Sequence, residues 1–161
     1  MRTRRRRVIE LAIVLPIAWS IMVVTHELGH ILGGWLSGAS LVRYDIVPWR
    51  LPYSLHQPDP VPLITLWMGP IFGVIGPVVL ASLIRNRYAW LIADFCILAN
   101  GTYLTLAWFA GDQLLDTARL INAGAHEISI AAFCAVTVTV GYLRFRKDCI
   151  NLLRPSDPET H

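Results

Sequence analysis

Four long apolar stretches, at 8–36, 61–84, 88–110 and roughly 128–143, occupy most of this 161-residue chain. A helix rises 1.5 Å per residue, so about 20 apolar residues cross a hydrocarbon core about 30 Å thick. Lipid offers no hydrogen bonds, so a chain crossing it must pair its backbone groups internally, and a helix does so within one segment. The first three stretches are long enough to span. The fourth reaches that length only if it begins near Ala123 and takes in His126 and Glu127. Charged residues make up 16% of the chain and hydrophobic ones 55%, whereas soluble domains carry about 25% charged residues. That balance excludes a soluble globular domain, a disordered chain and a collagen-like repeat. Cys96, Cys134 and Cys149 are too few for a disulfide framework and read as packing residues. The expected fold is all-α: a polytopic helical membrane protein with about four transmembrane helices and an interfacial loop after the first. Residues 1–7 form a basic N-terminus, 8–145 the transmembrane core and 146–161 a C-terminal tail.

The cations predict the topology. Arg2, Arg4, Arg5, Arg6 and Arg7 precede the first stretch, Arg85 and Arg87 separate the second from the third, and Arg144, Arg146, Lys147 and Arg154 follow the fourth. Lys and Arg are retained on the cytoplasmic side, so four spans with both termini in the cytoplasm satisfy the rule. The other side then holds only Arg43, Arg50 and Arg119. The net charge of +3 is thus a topology signal, and no nucleic-acid partner is expected, because no basic stripe interleaved with aromatics accompanies it. The first stretch is too long for a cleaved signal peptide, and the small residues at 38–40 make a poor cleavage site.

At the far end of the first stretch stands Thr25-His26-Glu27-Leu28-Gly29-His30, an H-E-x-x-H pattern. Histidines four apart lie one turn apart on one helical face, where two imidazoles can converge on one Zn²⁺. Glu27 sits beside the first of them, placed to act as general base on water. The competing reading is a pair of packed histidines in a helical bundle. Against it, an ionisable side chain at membrane depth costs about 2.5–3.5 kcal/mol on insertion scales and normally marks a site.

This motif within an apolar first span resembles the site-2 protease group of intramembrane zinc metalloproteases, the M50 peptidase family, and in particular its small M50B-like members. The resemblance covers residues 15–120. The run Leu32-Gly33-Gly34-Trp35-Leu36-Ser37-Gly38 is similar to the family's small-residue turn after the motif helix. Met68-Gly69-Pro70-Ile71-Phe72-Gly73-Val74-Ile75-Gly76-Pro77 is similar to its Gly-Pro helix beside the metal. The resemblance implies Zn²⁺ as cofactor and an aspartate on a later helix as third ligand. Asp112, in Gly111-Asp112-Gln113, is the favoured match, because it ends the third span behind a glycine. Asp116, in Leu115-Asp116-Thr117-Ala118-Arg119, is the alternative and matches a Leu-Asp-Gly-Gly-Arg form with Thr and Ala in place of the glycines. A helix cap is the competing role for Asp112. Asn100 resembles the asparagine that the family places near the substrate or transition state.

Other polar residues in apolar surroundings carry further expectations. Asp94 reads as an interhelical hydrogen-bond partner or part of a proton or water path. His56 and His126 are substitute ligands or interfacial histidines. The G-x-x-x-G spacings at Gly29/Gly33 and Gly69/Gly73 allow close helix approach, within one chain or between two. Segment 41–62, with Tyr44, Trp49, Tyr53 and several prolines, suits the membrane interface over the site. By resemblance, part of it is an extended element that pairs with substrate. The charge rule puts the motif near the non-cytoplasmic face, whereas the family commonly keeps its site towards the cytoplasm. The implied activity is hydrolysis of peptide bonds in membrane-embedded or membrane-proximal segments of another protein, in a lipid bilayer. Two alternatives are a non-catalytic membrane scaffold that retains the fold and a metal-ion transporter.

Overall fold

The computed structural model describes residues 4–154, so Arg2 and tail residues 155–161 lie outside the described region. The order is α1 (Arg4–Leu36), β1 (Leu41–Asp45), β2 (Tyr53–His56), α2 (Pro62–Ile84), α3 (Arg87–Ala110), α4 (Asp116–Asn122) and α5 (Glu127–Leu153). Helices α1, α2, α3 and α5 are long and apolar enough to cross a membrane. The protein is therefore an all-α polytopic chain carrying one short β-hairpin.

Local chemistry sets the helix ends. Helix α1 closes with Gly38 at φ 78°, where the Ala39 N–H donates to the Gly34 carbonyl at 2.8 Å and the Gly38 N–H to Trp35 at 3.2 Å. This paired closure needs a left-handed residue that glycine adopts without steric cost. Pro62 starts α2, where its missing N–H loses nothing. The Asn86 side chain caps α3 by accepting from the N–H groups of Tyr88 and Ala89. His126, expected as a substitute ligand or an interfacial residue, caps α5 through its Nδ1.

Two boundaries differ from expectation. Helix α5 does not gain its length by starting near Ala123, because Gly124 turns the chain at φ 93° and His126 fixes the start. It gains it at the other end, running through Arg144–Cys149 to Leu153. The boundary placed at 145/146 consequently falls inside a helix. Segment 41–62 is also more ordered than a loop: β1 and β2 pair antiparallel, with Asp45 opposite Tyr53 and Leu41 opposite His56, across a bulge between Leu41 and Arg43. Trp19 on α1 ties this hairpin down by donating to the Pro48 carbonyl at 2.8 Å.

The helices meet through small residues. A side chain at Gly29 would strike the Met68 carbonyl, and one at Gly33 would lie 2.6 Å from the Met68 Cβ. Both G-x-x-x-G pairs are thus used within the chain, since Gly69 and Gly73 make room for His30 and Asn100. Leu66, Leu104, Leu120, Ile130 and Cys134 form the core that joins α2, α3, α4 and α5. Isoleucine, leucine and phenylalanine face outward along the helices, as at Ile13, Leu83, Phe109 and Ile128.

Candidate metal centre

Two histidines on α1 and one aspartate at the start of α4 converge at the end of the bundle far from the arginine cluster. His26, His30 and Asp116 are each at most 5% exposed. His26 Nε2 lies 2.9 Å from Asp116 Oδ2, His30 Nε2 lies 3.3 Å from the same oxygen, and the two Nε2 atoms are 3.1 Å apart. Tetrahedral ligands at 2.0–2.1 Å from an ion stand about 3.3 Å from one another. The observed triangle is close to one face of such a tetrahedron.

The outer nitrogens fix which atoms carry protons. His30 Nδ1 donates to the Thr65 carbonyl at 2.9 Å, which can only accept. The Asn100 amide nitrogen donates to the Cys96 carbonyl at 2.8 Å, so its oxygen faces His26 Nδ1 at 2.7 Å and accepts from it. With both Nδ1 atoms protonated, each neutral ring presents a bare lone pair at Nε2. Two lone pairs and a carboxylate oxygen then face one point, an arrangement that requires a proton or a cation between them. A carbonyl or amide oxygen holding the far side of a ligating histidine is also the usual support of a metal site. The residues present therefore fit a small divalent cation.

Glu27 is 4% exposed, and its carboxylate clusters with the histidine nitrogens, one ligand atom of each lying within 4.8 Å of the others. The Ser54 hydroxyl, on β2, donates to Glu27 Oε2 at 3.0 Å. A cavity of about 330 Å³ opens here, lined among others by Glu27, His30, Tyr53, Tyr103, Asp116 and Arg119. Tyr103 also packs edge-on against His26, with ring centroids 5.4 Å apart. When a proton rather than a cation sits between these groups, burial raises the Asp116 carboxyl, but the charge then carried by His30 and the hydrogen bonds from both histidines outweigh it and hold the group well below the usual carboxylate range.

The favoured match for the third ligand, Asp112, stands elsewhere. It is exposed, and its Oδ1 accepts from the Leu114 N–H at 2.9 Å, capping the turn that leaves α3. Gly111, at φ 65°, reverses the chain. Four residues later the backbone has returned far enough to bury Asp116, where Thr117 ties α4 to α3 by donating to the Leu104 carbonyl at 2.7 Å. Asn100 likewise does not face the cavity: both ends of its amide are engaged inside the protein, one of them on His26. His56 is no partner of the cluster. Its ring lies against Gly34, both ring nitrogens are buried without a hydrogen bond to any described residue, and burial lowers its pKa. Asp94 sits in a different place, paired with Arg144 on α5 at 2.7 Å.

Sequence reasoning did not find Ser54, Thr65, Tyr103 or Arg119. Thr65 contributes a backbone carbonyl, which no side-chain pattern can signal. Arg119 Nη1 holds the second oxygen of Asp116 at 3.5 Å, and its place one turn after that aspartate was the available clue. No family model, curated protein or solved structure matches the chain.

Proposed function

We propose that this chain is a zinc-dependent intramembrane metalloprotease that hydrolyses peptide bonds in membrane-embedded or membrane-proximal segments of other proteins. The observation that carries this reading is the convergence of His26 Nε2, His30 Nε2 and Asp116 Oδ2 as three bare acceptors beside a buried Glu27 and an open cavity. His26, His30 and Asp116 would hold the ion, leaving a fourth position open, as catalytic zinc sites do. Zinc held there would supply Lewis acidity, acidifying a water and polarising a peptide carbonyl.

The remaining work falls to the chain's own residues. Glu27 takes a proton from the attacking water and delivers it to the leaving amine. Ser54 occupies Oε2 of Glu27, which orients the carboxylate. Asn100 and Thr65 hold the two imidazoles in the tautomer that presents Nε2. Arg119 pairs with the other oxygen of Asp116 and orients that carboxylate. Apolar helix faces deliver a membrane-borne substrate, and the cavity between the hairpin and α4 admits water. Both termini are placed in the cytoplasm by the charge rule, with the site near the opposite face.

The test uses the full chain purified in detergent and reconstituted with membrane-spanning reporter peptides. About one zinc per chain is expected, retained by Glu27→Gln while cleavage is abolished, and lost in His26→Ala. Cleavage persisting in Glu27→Gln would sink the mechanism, and a wild-type chain that binds no zinc would favour a scaffold.

A further inference from the structure

At the end of the bundle opposite the histidines, a cavity of about 400 Å³ lies between α3 and α5, lined among others by Arg87, Tyr88, Trp90, Asp94, Arg144 and Asp148. That volume is in the range of small-ligand pockets. Asp94, 2% exposed, lies seven residues into α3, about 10 Å from its start at 1.5 Å per residue. Arg144 spans the pocket: its Nε bonds Asp94 at 2.7 Å and its guanidinium lies over the Trp90 ring at 5.4 Å. Its Nη groups make no hydrogen bond with the described residues. Asp148, one turn further along α5, is half-buried; its Oδ2 is enclosed with no hydrogen-bond partner among the described residues, and its carboxyl crowds that of Asp94. At the rim, Tyr88 donates to Glu10 at 2.8 Å, and Arg87 pairs with both.

We propose that this cavity binds the headgroup of an aminophospholipid, with the phosphate on Arg144 and the primary ammonium on Asp148. The two unanswered groups choose the ligand. Free guanidinium N–H groups want an oxyanion, and phosphate matches their fork. Two crowded carboxyl groups, one of them with an enclosed oxygen that no described residue pairs, favour a cationic N–H donor beside them. A purely anionic headgroup would leave Asp148 unanswered and bring a phosphate beside two carboxylates. A choline headgroup carries no N–H. Ethanolamine phosphate offers both groups within one short unit. Trp90 and Tyr88 mark the depth at which headgroups lie, and pockets of this kind between membrane helices take lipid headgroups.

Native mass spectrometry of the full chain in detergent tests this with phosphatidylethanolamine, its mono- and dimethyl derivatives, phosphatidylcholine and phosphatidylglycerol, all with the same acyl chains. Wild-type protein should retain phosphatidylethanolamine several-fold above phosphatidylcholine and phosphatidylglycerol, with occupancy falling stepwise as N–H groups are removed. Asp148→Asn should bring phosphatidylethanolamine down to the phosphatidylcholine level. The double variant Asp94→Asn/Arg144→Gln, which removes both members of the Asp94–Arg144 pair together, should lose all three. Equal retention of ethanolamine and choline lipids by the wild type overturns the proposal without recourse to any variant, as does phosphatidylglycerol matching phosphatidylethanolamine. Undiminished retention in either folded variant overturns it too. Displacement of the lipid by water-soluble glycerophosphoethanolamine would reassign the site to a free phosphate ester and overturn the lipid assignment.

Discussion

Asp112 and Asp116 are four residues apart, carry the same side chain and differ in everything that bears on metal binding. Asp116 is buried against two imidazoles, while Asp112 caps a turn in solvent. Asp116→Asn is therefore expected to abolish stoichiometric zinc binding, and Asp112→Asn to leave it within error, as read by metal analysis of purified protein. Asn100→Leu removes the acceptor that holds the His26 tautomer. Zinc affinity should fall about 10- to 100-fold, the range for loss of such supporting partners, in competition with a chromophoric chelator. His56 provides a pH signature. Its pKa is lowered in the fold, so the protonated form favours the unfolded hairpin. The stability it contributes is complete above the unfolded value of about 6.5 and is lost as pH falls through the lower folded value. Amide exchange in β2 should accelerate on acidification across that window in wild type, and less so in His56→Gln.

Elements position these residues by close approach, and glycines make the approach possible. A methyl group at Gly69 would collide with the His30 ring, and one at Gly73 would come within 2.6 Å of the Asn100 oxygen. Gly69→Ala is thus expected to lower zinc occupancy more than it lowers the melting temperature, because α2 can shift only by pushing His30 off the shared point. Gly76→Ala, whose nearest neighbour would lie at an ordinary 3.6 Å, is the matched control and should alter neither. Between α3 and α5 the decisive contact is Asp94 with Arg144. Arg144→Met would leave a buried carboxylate unpaired, at a cost on the order of 3 kcal/mol, and adding Asp94→Asn should recover most of that. Thermal melts in one detergent distinguish the two.

On the scale of the whole molecule, polar chemistry is segregated to the two ends of an apolar bundle. One end gathers Glu10, Arg87, Asp94, Arg144 and Asp148, and the other gathers Glu27, the two histidines and Asp116. Four spanning helices make this possible, because α1 and α3 run in parallel and so bring His26 and the start of α4 to the same end. The outward faces between the ends are apolar, as a lipid solvent demands.

The sequence by itself determined the helical class, the spans and the H-E-x-x-H pair. Each of these is local: hydropathy accumulates over twenty neighbouring residues, and two histidines four apart share a face whatever else the chain does. Spacing puts Asp112 and Asp116 on one face of a helix and cannot separate them, and the preference for Asp112, drawn from its place behind a glycine at the end of the third span, picked the residue that caps a turn instead. The sequence also pointed to α5 lengthening at the wrong end, because hydropathy does not register a helix continuing through Arg144–Cys149 when Asp94 and Trp90 engage one of its charges. Only the tertiary structure decided these points. The docking of α4 on α3 through Thr117, and the contacts of Ser54, Asn100 and Thr65 with the motif residues, join positions 13 to 74 residues apart. Such contacts depend on which helix faces meet, and that is a property of the packed bundle.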